Sequence, residues 1–241
     1  MHRGKVDGQP AYILHSYPFR ETSLIVEAFT RDFGRLALMA RGARRPRSVM
    51  RGLLLGFQPL EIGWSGKGEV QTLMKVEWQG GQPLLKGQAL FCGYYLNELL
   101  IHLLPREDAH ERLFAQYAEM LQRLAVDPSG RVRESDLRWF EKALLQELGY
   151  GLTLDVDHAG APIETEALYT YQIERGAQRV DAVQGSGLVV SGQSLLALAA
   201  NDFSEPRTLA ESKALMRVLM AHYLGGVNLE TRKIVKELQE L

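Results

Sequence analysis

Over the first 80 residues apolar and polar positions alternate in short runs, and beyond residue 83 they recur with the period of a helix. Ala11 to Ser16, Ser23 to Thr30 and Arg35 to Ala40 are rich in β-branched, aromatic and small apolar residues, so each is expected to form a strand. Tyr17-Pro18 is expected to break the chain after the first, and Arg31-Asp32-Phe33-Gly34 to turn it between the second and third. Two more strands are expected over Leu53 to Trp64 and Glu69 to Trp78, joined by Ser65-Gly66-Lys67-Gly68. Pro59 demotes the first of these to an edge or a bulge. Five short strands without a long helix fit a small, partly open barrel of the OB type, an architecture that commonly binds oligonucleotides.

Leu84 to Leu104 is apolar nearly all round and reads as a buried central helix, ended by Pro105. A second helix is expected over about Glu107 to Ala125, with Leu113, Tyr117, Leu121 and Leu124 in one stripe; Asp127-Pro128-Ser129-Gly130 breaks the chain after it. Ser135 is placed to cap a third helix, on which Leu137, Phe140, Leu144 and Leu148 point one way and which Gly149 terminates. Residues 150–190 carry a weaker pattern: an irregular loop from Gly151 to Pro162, then short strands at Tyr169 to Glu174 and Gly187 to Val190 around Gly176 and Gly185. Helices over Gly192 to Ala200 and Glu205 to Leu224, a break at Gly225-Gly226 and a polar last helix from about Leu229 complete the chain. The expected fold class is α+β: an OB barrel over residues 1–80 and a mainly helical domain over 81–241, with short strands inserted at 150–190.

Composition narrows the classes. With 241 residues, 46% apolar and 24% charged, the chain is an ordinary globular protein of one to two domains and not a disordered or fibrous one. A single cysteine, Cys92, permits neither an internal disulfide nor a thiolate zinc site, which points to a reducing compartment; within the apolar helix it reads as a buried small hydrophobe. The first ten residues lack an apolar signal region, and the most apolar stretch, Ala89 to Leu104, is interrupted by Asn97, Glu98 and His102. A cytoplasmic protein without a membrane span is therefore expected.

The net charge of −1 hides an asymmetry. Residues 1–80 hold 12 Lys and Arg against 7 Asp and Glu, whereas residues 81–241 hold 16 against 22. Within residues 31–51 the cations are Arg31, Arg35, Arg41, Arg44, Arg45, Arg47 and Arg51, with Asp32 the one acid. Arg presents a planar fork of donors that binds phosphate in pairs and stacks on bases, so a polyanion is the implied partner. Most of the barrel aromatics, Phe33, Phe57, Trp64 and Trp78 among them, are expected to pack in a core. Tyr17 and Phe19, in a loop beside Arg20, are the expected stacking residues.

Catalytic chemistry is sparse. The six His are scattered one per element, and the one cluster of ligand types, Asp155, Asp157 and His158, sits in the irregular loop without a nearby thiol. Ser65 to Glu69 superficially resembles a phosphate loop but leads into a strand, so it reads as a hairpin turn. No catalytic residue, metal or cofactor is expected. Two rivals to a DNA-binding protein remain open at this level: an RNA-binding OB protein, and a hydrolase using Asp155, Asp157 and His158 with a metal.

The blocks HSYPFRETSLIVEAFTRDFGRLALMARGARRPRS (15–48), GEVQTL (68–73), YYLNELL (94–100) and LRWFEKALLQELGYG (137–151), in this order, are specific. The chain resembles the RecO family of bacterial recombination mediators, to which Val190 to Leu198 and Leu224-Gly225-Gly226 are also similar. Many members carry a four-cysteine zinc site after the LGYG block; this chain has none there and resembles the zinc-free branch. At the family's basic run near the end it has Leu229-Glu230-Thr231-Arg232.

The resemblance implies an OB domain joined to a helical domain, without catalytic turnover. It also implies binding of single- and double-stranded DNA at the nucleoid, annealing of complementary strands, and engagement of the acidic tail of single-strand binding protein. RecR is an implied partner, with which RecA is helped onto coated strands. Since that tail ends in an apolar residue with a free carboxylate, the expected site is the third helix: Arg138 and Lys142 at i and i+4 beside the stripe of Leu137, Phe140 and Leu144.

Overall fold

The computed structural model describes residues 4–126, 132–180 and 188–239. By its internal contacts the chain forms two compact units, Met1–Val132 with Asn228–Leu241, and Arg133–Val227.

The first unit is built on a closed five-stranded barrel in the order β1-β2-β3-β5-β4, the arrangement expected of an OB fold. Its strands are β1 (Val6–Phe19), β2 (Ser23–Thr30), β3 (Gly34–Ala40), β4 (Leu60–Ser65) and β5 (Val70–Trp78), and a short helix α1 (Met50–Leu53) lies between β3 and β4. Ala11, Ile13, Val26, Ala28, Leu36 and Leu38 fill the barrel with Ile62, Trp64 and Leu73.

Three local expectations are corrected. β1 runs through Pro18 instead of stopping before it. Its pairing with β4 ends at Ala11↔Leu60 while its pairing with β2 continues to Phe19↔Ser23, so at Pro18 one edge has no ladder to lose a donor from. β4 begins after Pro59, at Leu60; the residues before it form α1 and a loop that closes the barrel with Leu54 and Ala43. Lying between β1 and β5, β4 is not an edge strand, although it does carry a bulge, at Gly63/Trp64.

Residues 11–14 of β1 and 26–30 of β2 are buried in succession, and so on both faces. Outside the barrel Tyr12 and Phe29 meet Phe114 and Tyr117 with ring centroids 5.2–6.1 Å apart, which seats α3 (Glu111–Val126) on the barrel wall. The bulge between Ile13 and His15 takes Leu14 out of the regular register. Its carbonyl accepts from Asn97 Nδ2 at 2.7 Å, and the Asn97 oxygen accepts from the Tyr117 hydroxyl at 2.6 Å. Burial pushes that hydroxyl's pKa well up, so it stays a donor. Asn97, which interrupts the apolar pattern of α2 (Gly87–Leu103), is thus what ties α2 and α3 to the barrel. Cys92, on the same helix, is only partly buried. The last helix, α7 (Glu230–Gln239), returns to this unit: the Glu98 carboxylate accepts from the backbone N–H groups of Glu230 and Thr231, at 2.9 and 3.0 Å.

The second unit packs α4 (Glu134–Glu147), α5 (Gly192–Ala200) and α6 (Pro206–Tyr223) with a small sheet in the order β7-β6-β8. Its strands are β6 (Leu168–Gln172), β7 (Gly176–Val180) and β8 (Val189–Ser191). Ser135 lies inside α4 and does not cap it; Arg133 precedes the helix, and Glu134 and Asp136 meet the positive end of its dipole. Gly149 takes a left-handed φ of 81°, as the termination requires. Ser191 caps α5, with its Oγ accepting from Ser194 N at 3.3 Å. Glu211 of α6 accepts from both the N–H and the hydroxyl of Ser191 at 2.7 Å and from Arg207 Nε at 2.7 Å. Burial raises the Glu211 pKa, but the hydrogen bonds from Ser191, Arg207 and Ser194 outweigh it and hold the group at about 2. The expected breaks at Asp127 to Gly130 and at Gly185 lie outside the described residues.

Candidate nucleic-acid interface

The Arg-rich run divides between the two ends of the β2–β3 hairpin. The strands pair from Thr30↔Gly34 to Leu24↔Ala40, so Arg31 and Arg35 stand at the turn end while Arg41, Arg44, Arg45 and Arg47 follow the other. Eight residues of strand separate them, about 25 Å.

At the turn end the arginines are engaged. Arg31 grips Asp32 with two hydrogen bonds, Nε to Oδ1 at 2.6 Å and Nη2 to Oδ2 at 3.1 Å, and this lowers the Asp32 pKa. Arg35 is turned inward: Nη1 donates to Glu27 Oε2 at 2.8 Å, and Nε and Nη2 donate to the Leu104 carbonyl at 3.1 and 2.9 Å. Glu27 is buried and also accepts from Arg106. Arg35 therefore joins the barrel to the segment after α2 and is withdrawn from solvent. A cavity of about 570 Å³ at this end is lined by Phe33, Leu36 and Trp64 and by three acids, Asp32, Glu69 and Glu107, against one cation, Lys67. It is a poor host for phosphate.

At the other end the arginines are exposed. The loop after β3 is fastened to the β1–β2 turn and the start of β2: Arg44 N donates to the Thr22 carbonyl at 2.8 Å, and Gly42 N to the Ser23 hydroxyl at 3.4 Å. Arg44 Nη1 also donates to the Arg20 carbonyl at 3.2 Å. This brings Arg20, 24 residues earlier in the chain, beside Arg41, Arg44, Arg45 and Arg47, all with exposed side chains. Arg20 takes a left-handed φ of 52° in the tight turn, and its guanidinium lies 5.2 Å from the Phe19 ring centre. Arg51, on α1, is exposed as well.

Tyr17 and Phe19 belong to β1 and not to a loop, because the strand is continuous through Pro18. Alternation puts His15, Tyr17 and Phe19 on one face; Tyr17 is exposed and lies 4.4 Å from His15 between ring centres, while Phe19 is half-buried. Of the aromatics assigned to the core, Phe57 and Trp64 are buried and Phe33 meets Trp64 edge-on at 5.2 Å. Trp78 is the exception at 57% exposed. The sequence leaves stacking open for all six barrel aromatics and weighs each of them toward packing; Trp78 escapes the core because it stands at the last position of β5, paired with Leu60 at the start of β4.

On α4 the side chains at Arg138 and Lys142 have separate partners. Arg138 is buried, with Nη2 on Glu141 Oε1 at 2.7 Å and Nε without an acceptor among the described residues. Lys142 Nζ donates to the carbonyls of Leu198 and Ala199 at 2.8 Å, closing the end of α5, and burial lowers its pKa. Phe140 and Leu144 are wholly buried and Leu137 is half-buried, so the expected stripe is mostly core. In the irregular loop Asp157 Oδ1 accepts from Ala159 N and Ala161 N at 2.9 Å, the work of a turn residue. Among the described residues no group of three His, Cys, Asp or Glu side chains is placed to hold a metal ion. No described helix is long and apolar enough to cross a membrane.

Comparison with known proteins gives a consistent picture. The family model described as "Recombination protein O N terminal" matches residues 7–81, and "Recombination protein O C terminal" matches residues 85–233. A protein of Dechloromonas aromatica (strain RCB) named DNA repair protein RecO is 72% identical over 239 residues, covering 99% of each chain. Proteins of the same name from Azoarcus sp. (strain BH72) and Nitrosospira multiformis (strain ATCC 25196 / NCIMB 11849 / C 71) are 56% identical over 241 residues and 52% over 243. These cover 98% of this chain and 98% and 97% of their own.

Proposed function

The chain belongs to the RecO family of DNA repair proteins, and from that premise we propose that it is a recombination mediator without catalytic turnover, whose barrel binds single- and double-stranded DNA at the end formed by Arg20, Arg41, Arg44, Arg45 and Arg47. The observation that carries this reading is that these five arginine side chains are exposed, gathered at one end of the barrel, and without a carboxylate partner among the described residues. Such a surface neutralises phosphate without reading sequence. Annealing then needs no chemistry: two strands held near the same cations lose part of their mutual repulsion, and base pairing completes the step.

In this proposal the protein works at the nucleoid with RecR, helps RecA onto strands coated by single-strand binding protein, and takes that protein's acidic tail on α4. There Leu137 is half-buried and Arg138, itself buried, has no acceptor for Nε among the described residues while Nη2 holds Glu141, so a terminal carboxylate that opens this edge of α4 finds a donor there. Phe140 and Leu144 support the site from beneath, and Lys142 steadies the adjoining end of α5.

The test is the salt dependence of binding. Replacing Arg44, Arg45 and Arg47 by Ala should weaken binding to every single-stranded sequence alike and reduce the log–log salt slope by up to about 2, at roughly 0.7 per lost phosphate contact. An unchanged slope would remove the loop from the interface. A competing RNA of the same sequence, run at fixed salt, distinguishes a DNA protein from an RNA one.

A further inference from the structure

The same end of the barrel carries apolar groups that a surface meeting only phosphate has no use for. β5 pairs with β3 only as far as Met39↔Thr72, so residues 73–78 run on past the end of β3, and α1 packs against β5. In α1, its flanks and this overhang, Val49, Leu55, Met74 and Trp78 are exposed, as are Arg47 and Arg51, while Lys75 and Glu77 of the overhang pair with each other. Apolar groups gathered in water beside cations mark a contact surface.

Trp78 is held in place. Its Nε1 donates to Gln58 Oε1 at 3.2 Å, and Gln58 is only 7% exposed. Because an indole N–H can only donate, this bond fixes which end of the Gln58 amide is oxygen. The other end, Nε2, is buried next to the indole and has no acceptor among the described residues. A buried donor left open beside a fixed, exposed ring asks for a ligand that brings both a flat apolar face and an acceptor.

We propose that Trp78 is a base-stacking platform, that Gln58 Nε2 donates to the polar edge or phosphate of the same nucleotide, and that this pair, with Arg47 and Arg51, makes this face prefer single strands to duplex. In a duplex the base faces are stacked on one another and the edges are paired, leaving phosphate as the main thing to touch. An unpaired strand offers both. The inference rests on the nucleic-acid reading above and adds the form of nucleic acid that the barrel selects.

The experiment compares a fluorescein-labelled oligo(dT) with a labelled duplex of equal length at fixed salt, for the full chain and for Trp78→Ala, Trp78→Leu and Trp78→Phe. Ala and Leu should each lower single-strand affinity about 5- to 150-fold, the range for one stacked base, and leave duplex affinity within about twofold. Phe, which keeps a ring, should retain most of it. Oligo(dT) should also quench the tryptophan emission of the unmodified protein and quench that of Trp78→Phe much less, since of the two tryptophans left Trp64 is 2% exposed and Trp139 belongs to α4 of the second unit. Equal loss on both nucleic acids, no loss on either, or Leu performing as well as Phe overturns the proposal. So does quenching by an acidic peptide but not by oligo(dT), which would assign the surface to a protein partner. The Arg44, Arg45 and Arg47 variant separates the two readings: if it weakens both nucleic acids while the Trp78 variants weaken neither, the DNA interface stands and the stacking platform falls.

Discussion

Arg35 and Arg45 lie ten residues apart in one run of cations and have opposite surroundings. Arg35 is closed between Glu27 and the Leu104 carbonyl, and Arg31 beside it is paired with Asp32. Arg45, with Arg41 and Arg47, projects into solvent. The difference lies in what the fold brings alongside. The turn end of the hairpin meets the segment after α2 and the acids Glu27, Asp32, Glu69 and Glu107, whereas the other end meets the β1–β2 turn and a further cation, Arg20. A count of cations along a chain therefore overstates an interface by however many the structure uses itself, and understates it by those that arrive from elsewhere.

The largest expected effect tests the engaged end. Glu27→Ala leaves Arg35 without its carboxylate inside the protein, and breaking a buried pair from one side costs about 3–5 kcal/mol. Thermal unfolding should shift down by roughly 10–15 °C. A loss of under 2 °C would show that Arg35 turns outward in solution, and the contrast between the two ends would collapse.

Arg138→Ala asks the same question of an arginine in the second unit. If its open Nε receives the tail of single-strand binding protein, titration calorimetry with the tail peptide should show a loss of about 1.5–3 kcal/mol, the range for a hydrogen bond to a charged group. Naked-DNA binding should hardly change. Because Glu141 then loses a buried partner, stability must be followed too, and Glu141→Gln is the control that relieves the acid while keeping Arg138.

Acid should reach Glu211 late. Its folded pKa of about 2 lies below the usual value near 4.5, so the stability that it contributes is complete above about pH 4.5 and is lost as the pH falls toward 2. Glu211→Gln should therefore flatten the acid limb of an unfolding-versus-pH curve in that window and leave the curve above pH 6 parallel to the original.

The smallest effect on the fold is expected at the exposed end. Alanine at Arg44, Arg45 and Arg47 together should leave Tm within about 2 °C, since exposed side chains without buried partners contribute little. Asp32→Ala sharpens the contrast from the other side. It should leave Tm nearly unchanged and release Arg31, steepening the salt dependence of DNA binding by up to about 0.7 if the released cation reaches phosphate.

Much of this is legible in the sequence alone. The β-branched and aromatic residues of Ser23 to Thr30 and the apolar run of Arg35 to Ala40 specify two strands, which pair as a hairpin, and Gly34 and Gly149 stand where positive φ is needed, because those signals are local and set by backbone sterics. The excess of Arg over acid in residues 31–51 was equally plain. Tertiary structure decided the rest. Pro18 could remain in β1 only because β4 ends its pairing at Ala11. Asn97 looked like an interruption until the Leu14 bulge supplied its partner. Arg35, Arg138 and Lys142 were drawn to acids and carbonyls, and Trp78 was left in the open. Such outcomes depend on groups 3 to 83 positions apart in the chain. A charged or amide side chain takes whatever partner the packed chain places within about 3 Å of it, and the order of residues along the sequence does not state that distance.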